Sequence, residues 1–409
     1  MYTTTTHSTA SIGVALILLL ALLTGLDAMA IDMYLPAMPA LAADFDVSSG
    51  RIQQTISVFL VGLAIGQALY GPLLDRYGRR LPLLLGVAVF VAGSVLAALA
   101  PSVEWLLAAR FLQALGAAAG LVTPRAIVAD LCNLAESARI FSLLMQVMMI
   151  APIVAPLFGS YVLVHGDWRM IFWILAGLGI AGLLWGLREI PDSLPEERRL
   201  TLNVRNILQA YGRQMRNPVF MAYTLAGGFI LGSLFTYISG SAFIFTQHFL
   251  LTPTQYGYLF AVNSVALVVG GQISNRMLKS GAAEQRTMYI GIIVHAVAGF
   301  VLFLAVRAGM ATLEAYFVLL ALAVGSLGMV FGNLTALTMS NAGLQVGTAS
   351  ALMGTLHYLL SAIIGYAFSF AASGPGPLPL AIAICGVIAL ILSRVAGKLK
   401  SSAPLSLTT

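Results

Sequence analysis

Runs of roughly twenty apolar residues recur along this chain from one end to the other, and few charges interrupt them. Each is long enough to cross a ~30 Å hydrocarbon core as an α-helix. Lipid offers no partner to a backbone N–H or C=O, so a crossing segment must be a helix or part of a closed barrel. The polar–apolar alternation of barrel strands is absent. Only 9% of the 409 residues are charged and 59% are hydrophobic, against about 25% charged in a soluble domain. The pattern predicts an all-α membrane protein of twelve transmembrane helices. They fall at about residues 11–34, 50–71, 82–101, 104–127, 138–163, 169–188, 218–246, 254–275, 287–307, 313–338, 346–371 and 376–394. No Lys or Arg precedes the first run, and it outlasts the roughly 7–15 residues of a signal-peptide core, so it is read as a retained helix.

Basic residues set the orientation. With the N-terminus in the cytoplasm, the inner connections hold Arg76, Arg79, Arg80, Arg139, the 188–216 cluster, Arg276, Lys279 and Arg286, with Arg394, Lys398 and Lys400 in the tail. The outer connections keep only Arg51, Arg169 and Arg307. That asymmetry obeys the positive-inside rule. The net charge of +6 is thus a topology signal, compatible with contact to anionic lipid and a poor sign of nucleic-acid binding. Both termini are placed in the cytoplasm. Cys132 and Cys385 lie too far apart on this map to pair, and neither has metal-ligand spacing, so no disulfide and no metal are expected.

The one long polar interval divides the chain. Residues 1–188 form a first six-helix half, 189–217 a cytoplasmic linker with a short surface helix, and 218–409 a second half with a short tail. Gly66-Gln67 before the charged residues at 75–80 is echoed by Gly271-Gln272 before Asn275-Arg276 and Lys279. The echo points to pseudo-symmetric repeats with a site near the midplane between them. Small residues at Gly62, Gly66, Gly116, Gly120, Gly347, Ala351 and Gly354 are read as places where helices approach closely.

Three ionisable residues stand out inside the runs: Asp27 and Asp32 in the first, Arg110 in the fourth. A charge at a helix centre costs about 2.5–3.5 kcal/mol on insertion scales, so these should face a polar interior and one another. All three fall in the outer half of their helices. Asp27 and Asp32 are about 140° apart around a helix of 3.6 residues per turn, so both cannot point straight at one partner. Pro36 and Pro39 should end or bend the helix just beyond Asp32. The acids are candidate proton carriers; a static Asp–Arg pair joining two helices is the alternative. Gln113, three residues after Arg110, lies on its face within hydrogen-bonding reach. Weaker cavity candidates are Met145, Met148 and Met149, adaptable in shape, and Phe229, Phe235, Tyr237 and Tyr358. Plain packing explains these as well. Asn263, Asn333 and His357 are explained at least as well by helix–helix hydrogen bonds.

Several segments resemble motifs of the major facilitator superfamily. G-P-L-L-D-R-Y-G-R-R at 71–80 is similar to its inner-loop motif, R-F-L-Q-A-L-G at 110–116 to its fourth-helix motif, and A-P-I-V-A-P-L-F-G-S at 151–160 to the fifth-helix motif of its drug:proton antiporters. I-D-M-Y-L-P-A-M-P at 31–39, R-A-I-V-A-D-L at 125–131, W-R-M-I-F at 168–172, L-P-E-E-R-R at 194–199 and G-T-A-S-A-L-M-G at 347–354 resemble the Bcr/CflA branch. The resemblance spans both halves. It implies that Gly71, Asp75, Arg76, Gly78, Arg79 and Arg80 form an inner gate, with Asp75 capping a helix end and paired with Arg79, and Asp130 joined to them. It implies a proton-coupling role for Arg110 and Asp32, and a hinge shaped by Pro152, Pro156 and Gly159. Ala129 stands where the branch commonly has Arg, Ser160 replaces a usual second Gly, and Asp27 has no counterpart in the usual pattern.

The combined reading is a monomeric multidrug efflux antiporter of the bacterial inner membrane, exporting small amphipathic molecules, drugs included, in exchange for protons. A proton symporter or a single-metabolite exporter on the same fold is the rival, since fold does not fix direction. No G-x-x-x-x-G-K-[ST] segment is present, so ATP is not implied, nor is any other cofactor. No nucleophile–base or metal constellation marks an enzyme.

Overall fold

The computed structural model describes residues 13–199, 204–342, 346–371 and 374–402. Twelve helices in it are long and apolar enough to span a membrane. They are α1 (Val14–Asp44), α2 (Ser49–Tyr77), α3 (Arg80–Ala98), α4 (Val103–Leu131), α5 (Arg139–His165), α6 (Trp168–Glu189), α7 (Pro218–His248), α8 (Pro253–Lys279), α9 (Glu284–Arg307), α10 (Leu313–Met339), α11 (Gly347–Ser369) and α12 (Pro377–Lys400). No strand occurs among the described residues. A helix, Val204–Met215, lies between α6 and α7. Cys132 and Cys385 are both free.

Side-chain caps fix where several helices start, because the first turn has N–H groups without intrahelical partners. Ser48 Oγ accepts from the Arg51 N–H. Thr252 and Gln255 cap α8 reciprocally, and Pro253 suits the first position because it brings no N–H. The α1 span is broken as its prolines predict. Its first helix ends at Asp32, a 3-10 turn covers Leu35–Ala37, and a short helix runs Met38–Asp44.

The charged segment at 71–80 is less of a loop than the sequence implies. Asp75 and Arg76 are still on α2, which continues through Pro72 to Tyr77, so the turn itself is only Gly78 and Arg79. Gly78 has φ +81°, a conformation favouring glycine.

Small residues bring helices together where the spacing placed them. A Cβ at Gly62 or Gly66 would strike α4, one at Gly116 would strike α3, and one at Gly120 would strike the Leu23 backbone of α1. Gly347 is the exception, with open space around it.

We call the face carrying the 189–217 interval the linker face, and the other the far face. The first six and last six spans meet mainly toward the far face. Gly50 of α2 packs on the backbone of Ser369 in α11, and Gln54 Nε2 donates to Ser369 Oγ at 3.2 Å. Ser49 Oγ donates to Gln247 Oε1 at 3.3 Å. The α2–α11 seam continues past Ser57 and Gly365 to Gln67 and Gly354. Toward the linker face it parts among the described residues, where nothing lies within 4 Å of the Cβ positions of Gly71 or Gly347. The α5–α8 seam does the same. Ser160 and Pro156 pack on Gly257, whereas Met149 and Met145, continuing that α5 stripe inward, are 41% and 43% exposed. The described residues thus leave the bundle closed at the far face and parted at the linker face.

Candidate transport site

Asp27 and Asp32 sit at the centre of this arrangement, each 4% exposed. Among the described residues neither makes an ion pair, and Asp27 Oδ1 has no hydrogen-bond partner. Asp32 interacts electrostatically with Asp27 and with Tyr237 and Tyr256 of the last six spans. Those hydroxyls are themselves held. Asn263 Nδ2 donates to Tyr237 Oη at 3.0 Å, and Tyr256 Oη lies 3.0 Å from Ser241 Oγ. Tyr237 also stacks on Phe260, with centroids 5.4 Å apart. Hydrogen-bonded aromatic residues of the last six spans thus lie near the acid.

The expected pairing of Arg110 with the aspartates is not formed. Arg110 is fully buried. Its Nη1 donates to Ala30 O at 3.0 Å and to Gln113 Oε1 at 2.5 Å, while Nε and Nη2 have no hydrogen-bond partner. The guanidinium instead lies 4.2 Å from the Phe59 centroid, 5.0 Å from Tyr34 and 5.8 Å from Phe172. Ring faces carry negative quadrupole density, and a desolvated cation is drawn to them by about 2 kcal/mol. The physical reason for the difference is the position of Ala30. Its carbonyl lies between the two acids in the sequence of α1, and Arg110 donates to that backbone atom rather than to either carboxylate.

Gln113 does not line the cavity either. It is fully buried, and its Nε2 donates to Ser94 Oγ at 2.8 Å, which donates onward to Phe90 O. The cause is close packing of α3 on α4, where Gly93 leaves room for the Gln113 backbone. Phe235 and Tyr358 do come together, with centroids 6.3 Å apart between α7 and α11. Asn333 Nδ2 bonds Ser274 Oγ at 2.8 Å, joining α10 to α8.

The residues of the 71–80 segment form a compact network at the linker face. Arg79 Nε donates to Asp130 Oδ2 at 2.8 Å and its Nη1 to Asp75 Oδ1 at 3.0 Å. Burial works against the charge on Arg79, yet the hydrogen bonds it donates to Asp130 and Asp75, with their negative charges, outweigh it and raise the pKa above its ordinary value. The linker joins in. Asp192 accepts from the Arg79 N–H at 3.1 Å and from Arg199 at 2.6 Å, Ser193 Oγ donates to Asp130 at 2.8 Å, and Arg80 donates to Leu187 O. Arg76 stands apart, over the ring of Tyr77.

On α5, Pro156 has no N–H to bond the carbonyl four residues back. That carbonyl belongs to Pro152, and Ser264 of α8 donates to it at 3.1 Å. Gly159 admits the Met33 backbone at the end of the α1 helix.

Sequence reasoning missed one charge. Arg125 lies within the fourth span, is exposed, and interacts electrostatically with Asp27 and with Tyr358 of α11. Its place inside the 104–127 run was the available signal. It also missed the aromatic cage of Arg110 and the linker residues Asp192 and Ser193, whose partners lie far off in sequence.

Twelve spans around a buried polar centre, closed on one face, define a multi-pass membrane transporter. The family follows from comparison: the model described as Major Facilitator Superfamily matches residues 20–366, and the chain belongs to that family. The MFS-type transporter YdgK of Bacillus subtilis is 34% identical over 352 residues, covering 86% of this chain and 87% of that protein. A bicyclomycin resistance protein homolog of Haemophilus influenzae is 28% identical over 354 residues, 85% of this chain and 87% of its own. The multidrug resistance protein MdtL of Escherichia coli is 36% identical over 165 residues, 40% of this chain and 42% of that one. These relatives agree with the Bcr/CflA resemblance. A D-xylose-proton symporter structure superposes with a TM-score of 0.76 at 15% identity, covering 95% of this chain and 98% of that one. The human organic anion transporter MFSD10 gives 0.69 at 18%, covering 93% and 99%. The family is one of membrane transporters of small molecules, and this chain is a transporter rather than an enzyme.

Proposed function

We propose that the protein is a proton-coupled antiporter of the bacterial inner membrane that exports drugs or other small amphipathic molecules. The observation that carries this is the pair of buried acids at the interface of the two six-helix sets, without an ion-pair partner among the described residues. Intramembrane carboxylates in such positions are the usual stuff of proton relays. Export rather than import is supported by the printed names of relatives, a bicyclomycin resistance protein homolog and a multidrug resistance protein. The linker face is then cytoplasmic, with both termini on it, in keeping with the distribution of Lys and Arg. Residues 1–188 and 218–409 act as two bodies that rock about the central site, joined by 189–217. The working unit is a monomer.

Asp32 exchanges the proton, Asp27 assists it, and Arg110 fixes the electrostatics of α1 through the Ala30 carbonyl. Asp75, Arg79 and Asp130 organise the linker-face gate, and the Pro152–Pro156–Gly159 segment shapes the α5 hinge. The test is reconstitution in vesicles loaded with a pH-sensitive dye. Adding a transported drug should move protons against it in the wild type, and Asp32→Asn should abolish the signal while the protein still inserts. Drug-driven proton movement unchanged in Asp32→Asn refutes the assignment.

A further inference from the structure

We propose that the linker-face ends of α9 and α12 form a binding site for one anionic phospholipid, its phosphate held between Arg286 and Arg394 and its acyl chains laid along the exposed apolar faces of the two helices. The inference needs only that the twelve helices span a lipid bilayer, and it is independent of what the molecule carries.

The charges of the chain are divided unevenly. Every Asp and Glu except Glu284 and Glu314 precedes residue 218. At the linker face of the first six spans, Asp75 and Asp130 pair with Arg79. Beyond residue 218 the linker-face cations Arg276, Lys279, Arg286 and Arg394 have only Glu284 among them, since Glu314 stands in the first turn of α10 on the far face. Glu284 is turned about 160° away from Arg286 around α9. Arg286 and Arg394 are both exposed, and among the described residues neither makes an ion pair.

Contacts along the α9–α12 seam place the two arginines side by side. Gly397 lies against Gln285, Tyr289 Oη donates to Ser393 O at 3.1 Å, and Gly386 lies against Ala296. That antiparallel register puts Arg286 and Arg394 about two residues apart in level, roughly 3 Å along the axis. At about 100° per residue each arginine stands roughly 80° around its helix from the seam. In an antiparallel pair those turns have opposite sense, so both side chains reach the same outer side. Tyr289 lies between them. The Arg394 guanidinium carbon is 6.0 Å from its ring centroid, and Gln285 Nε2 donates to its hydroxyl at 3.0 Å. Axes of packed helices are about 8–10 Å apart, so two long side chains can share one phosphate, which guanidinium forks bind well. Below the pair, Ile290, Ile293 and Val297 continue the exposed face of α9, and Ile391, Val387 and Ile384 that of α12. From Arg286 to Val297 is about 16 Å, the depth of one leaflet of a ~30 Å core. Cations at the head of an apolar strip of that length match a lipid anion; a free phosphate would leave the strip unused.

The experiment measures lipid binding to the detergent-purified full chain by native mass spectrometry, with dioleoyl-phosphatidylglycerol and dioleoyl-phosphatidylcholine as probes. The wild type should bind the anionic lipid at least about fivefold more tightly, the attraction of a single surface cation. The double variant Arg286→Gln/Arg394→Gln should bind the two lipids alike, and Arg394→Gln alone should lose part of the preference. The control Arg276→Gln/Lys279→Gln should keep it. Thermal unfolding without lipid shows that each variant is folded, and phosphatidylglycerol should raise the unfolding temperature of the wild type but not of the double variant. Equal binding of both lipids by the wild type, or a preference retained by the folded double variant, overturns the proposal. So does an equal loss in the control, which would mean attraction to the whole face rather than to a site. Inorganic phosphate in excess should leave the lipid bound; displacement by it would make the pair a free-anion site and refute the lipid assignment. A lipid-free dimer in the same spectra would give this face to a second copy, and would refute it as well.

Discussion

Arg110 shows how a membrane interior keeps a guanidinium that has no carboxylate beside it. Two hydrogen bonds from one nitrogen and three aromatic faces share the charge. Phe59 is the nearest ring, so Phe59→Leu keeps an apolar side chain of moderate size while removing the quadrupole. It should lower stability by about 1–2 kcal/mol, read as a fall in unfolding temperature in detergent, whereas Phe59→Tyr should hold it. If both variants behaved alike, shape rather than the cation would explain the cage. The sequence marked Arg110 as important because a charge in an apolar run is legible in one dimension. Its partners were not legible, since Phe59 and Phe172 are ordinary hydrophobic residues until α2 and α6 bring them to α4. The same limit misplaced Gln113, whose fate depended on Gly93 allowing α3 to close over it.

Among the helices, α5 carries the clearest local device. Pro156 removes a donor, the Pro152 carbonyl is left free, and Ser264 of α8 supplies the missing hydrogen bond across the interface. Pro156→Ala would restore the N–H, so the carbonyl could be satisfied within α5. Ser264→Ala should therefore destabilise the wild-type background by about 1 kcal/mol and the Pro156→Ala background by less. A double-mutant cycle of unfolding free energies isolates that difference; additive effects would mean that Ser264 serves only its second acceptor, Phe260 O at 3.0 Å. The twelve spans themselves were readable because length and apolarity are properties of a continuous segment. The ends were less so. The runs stop where charge begins, but α2 carries on through Asp75 and Arg76 because a helix terminus at the membrane surface tolerates charge. Gly78 was legible as a turn residue, whereas the capture of its neighbour Arg79 by Asp192, 113 positions away, was not.

In the whole molecule the far-face seam is shut by small residues and uncharged hydrogen bonds, which is one of the two states that the proposed alternating access calls for. Gly50 lets α2 lie against the Ser369 backbone, and Gln54 and Ser49 add hydrogen bonds to α11 and α7. On the linker face, the Asp75–Arg79–Asp130 network stays within α2, the turn after it, α4 and the linker, so it leaves that face open. A bias toward the far-face-closed form therefore depends chiefly on the seam. Gly50→Val would force α2 off Ser369, and overpacking of this kind costs about 1–3 kcal/mol. A change of that size moves a two-state balance by about 5- to 150-fold. Single cysteines report it in a background with Cys132 and Cys385 replaced. At Ser57, beside Gly365 in the closed seam, labelling by an impermeant maleimide from the far face should rise in Gly50→Val. At Met145, exposed where α5 parts from α8, labelling from the linker face should fall in the same variant. Asp75→Asn should do the opposite, lowering labelling at Ser57, because it removes a charge from the network that the other state would engage. The proposed rocking of the two halves requires reciprocal changes, since opening one face would close the other. A rise at Ser57 with no fall at Met145 would mean local loosening of the seam rather than a shift of the whole.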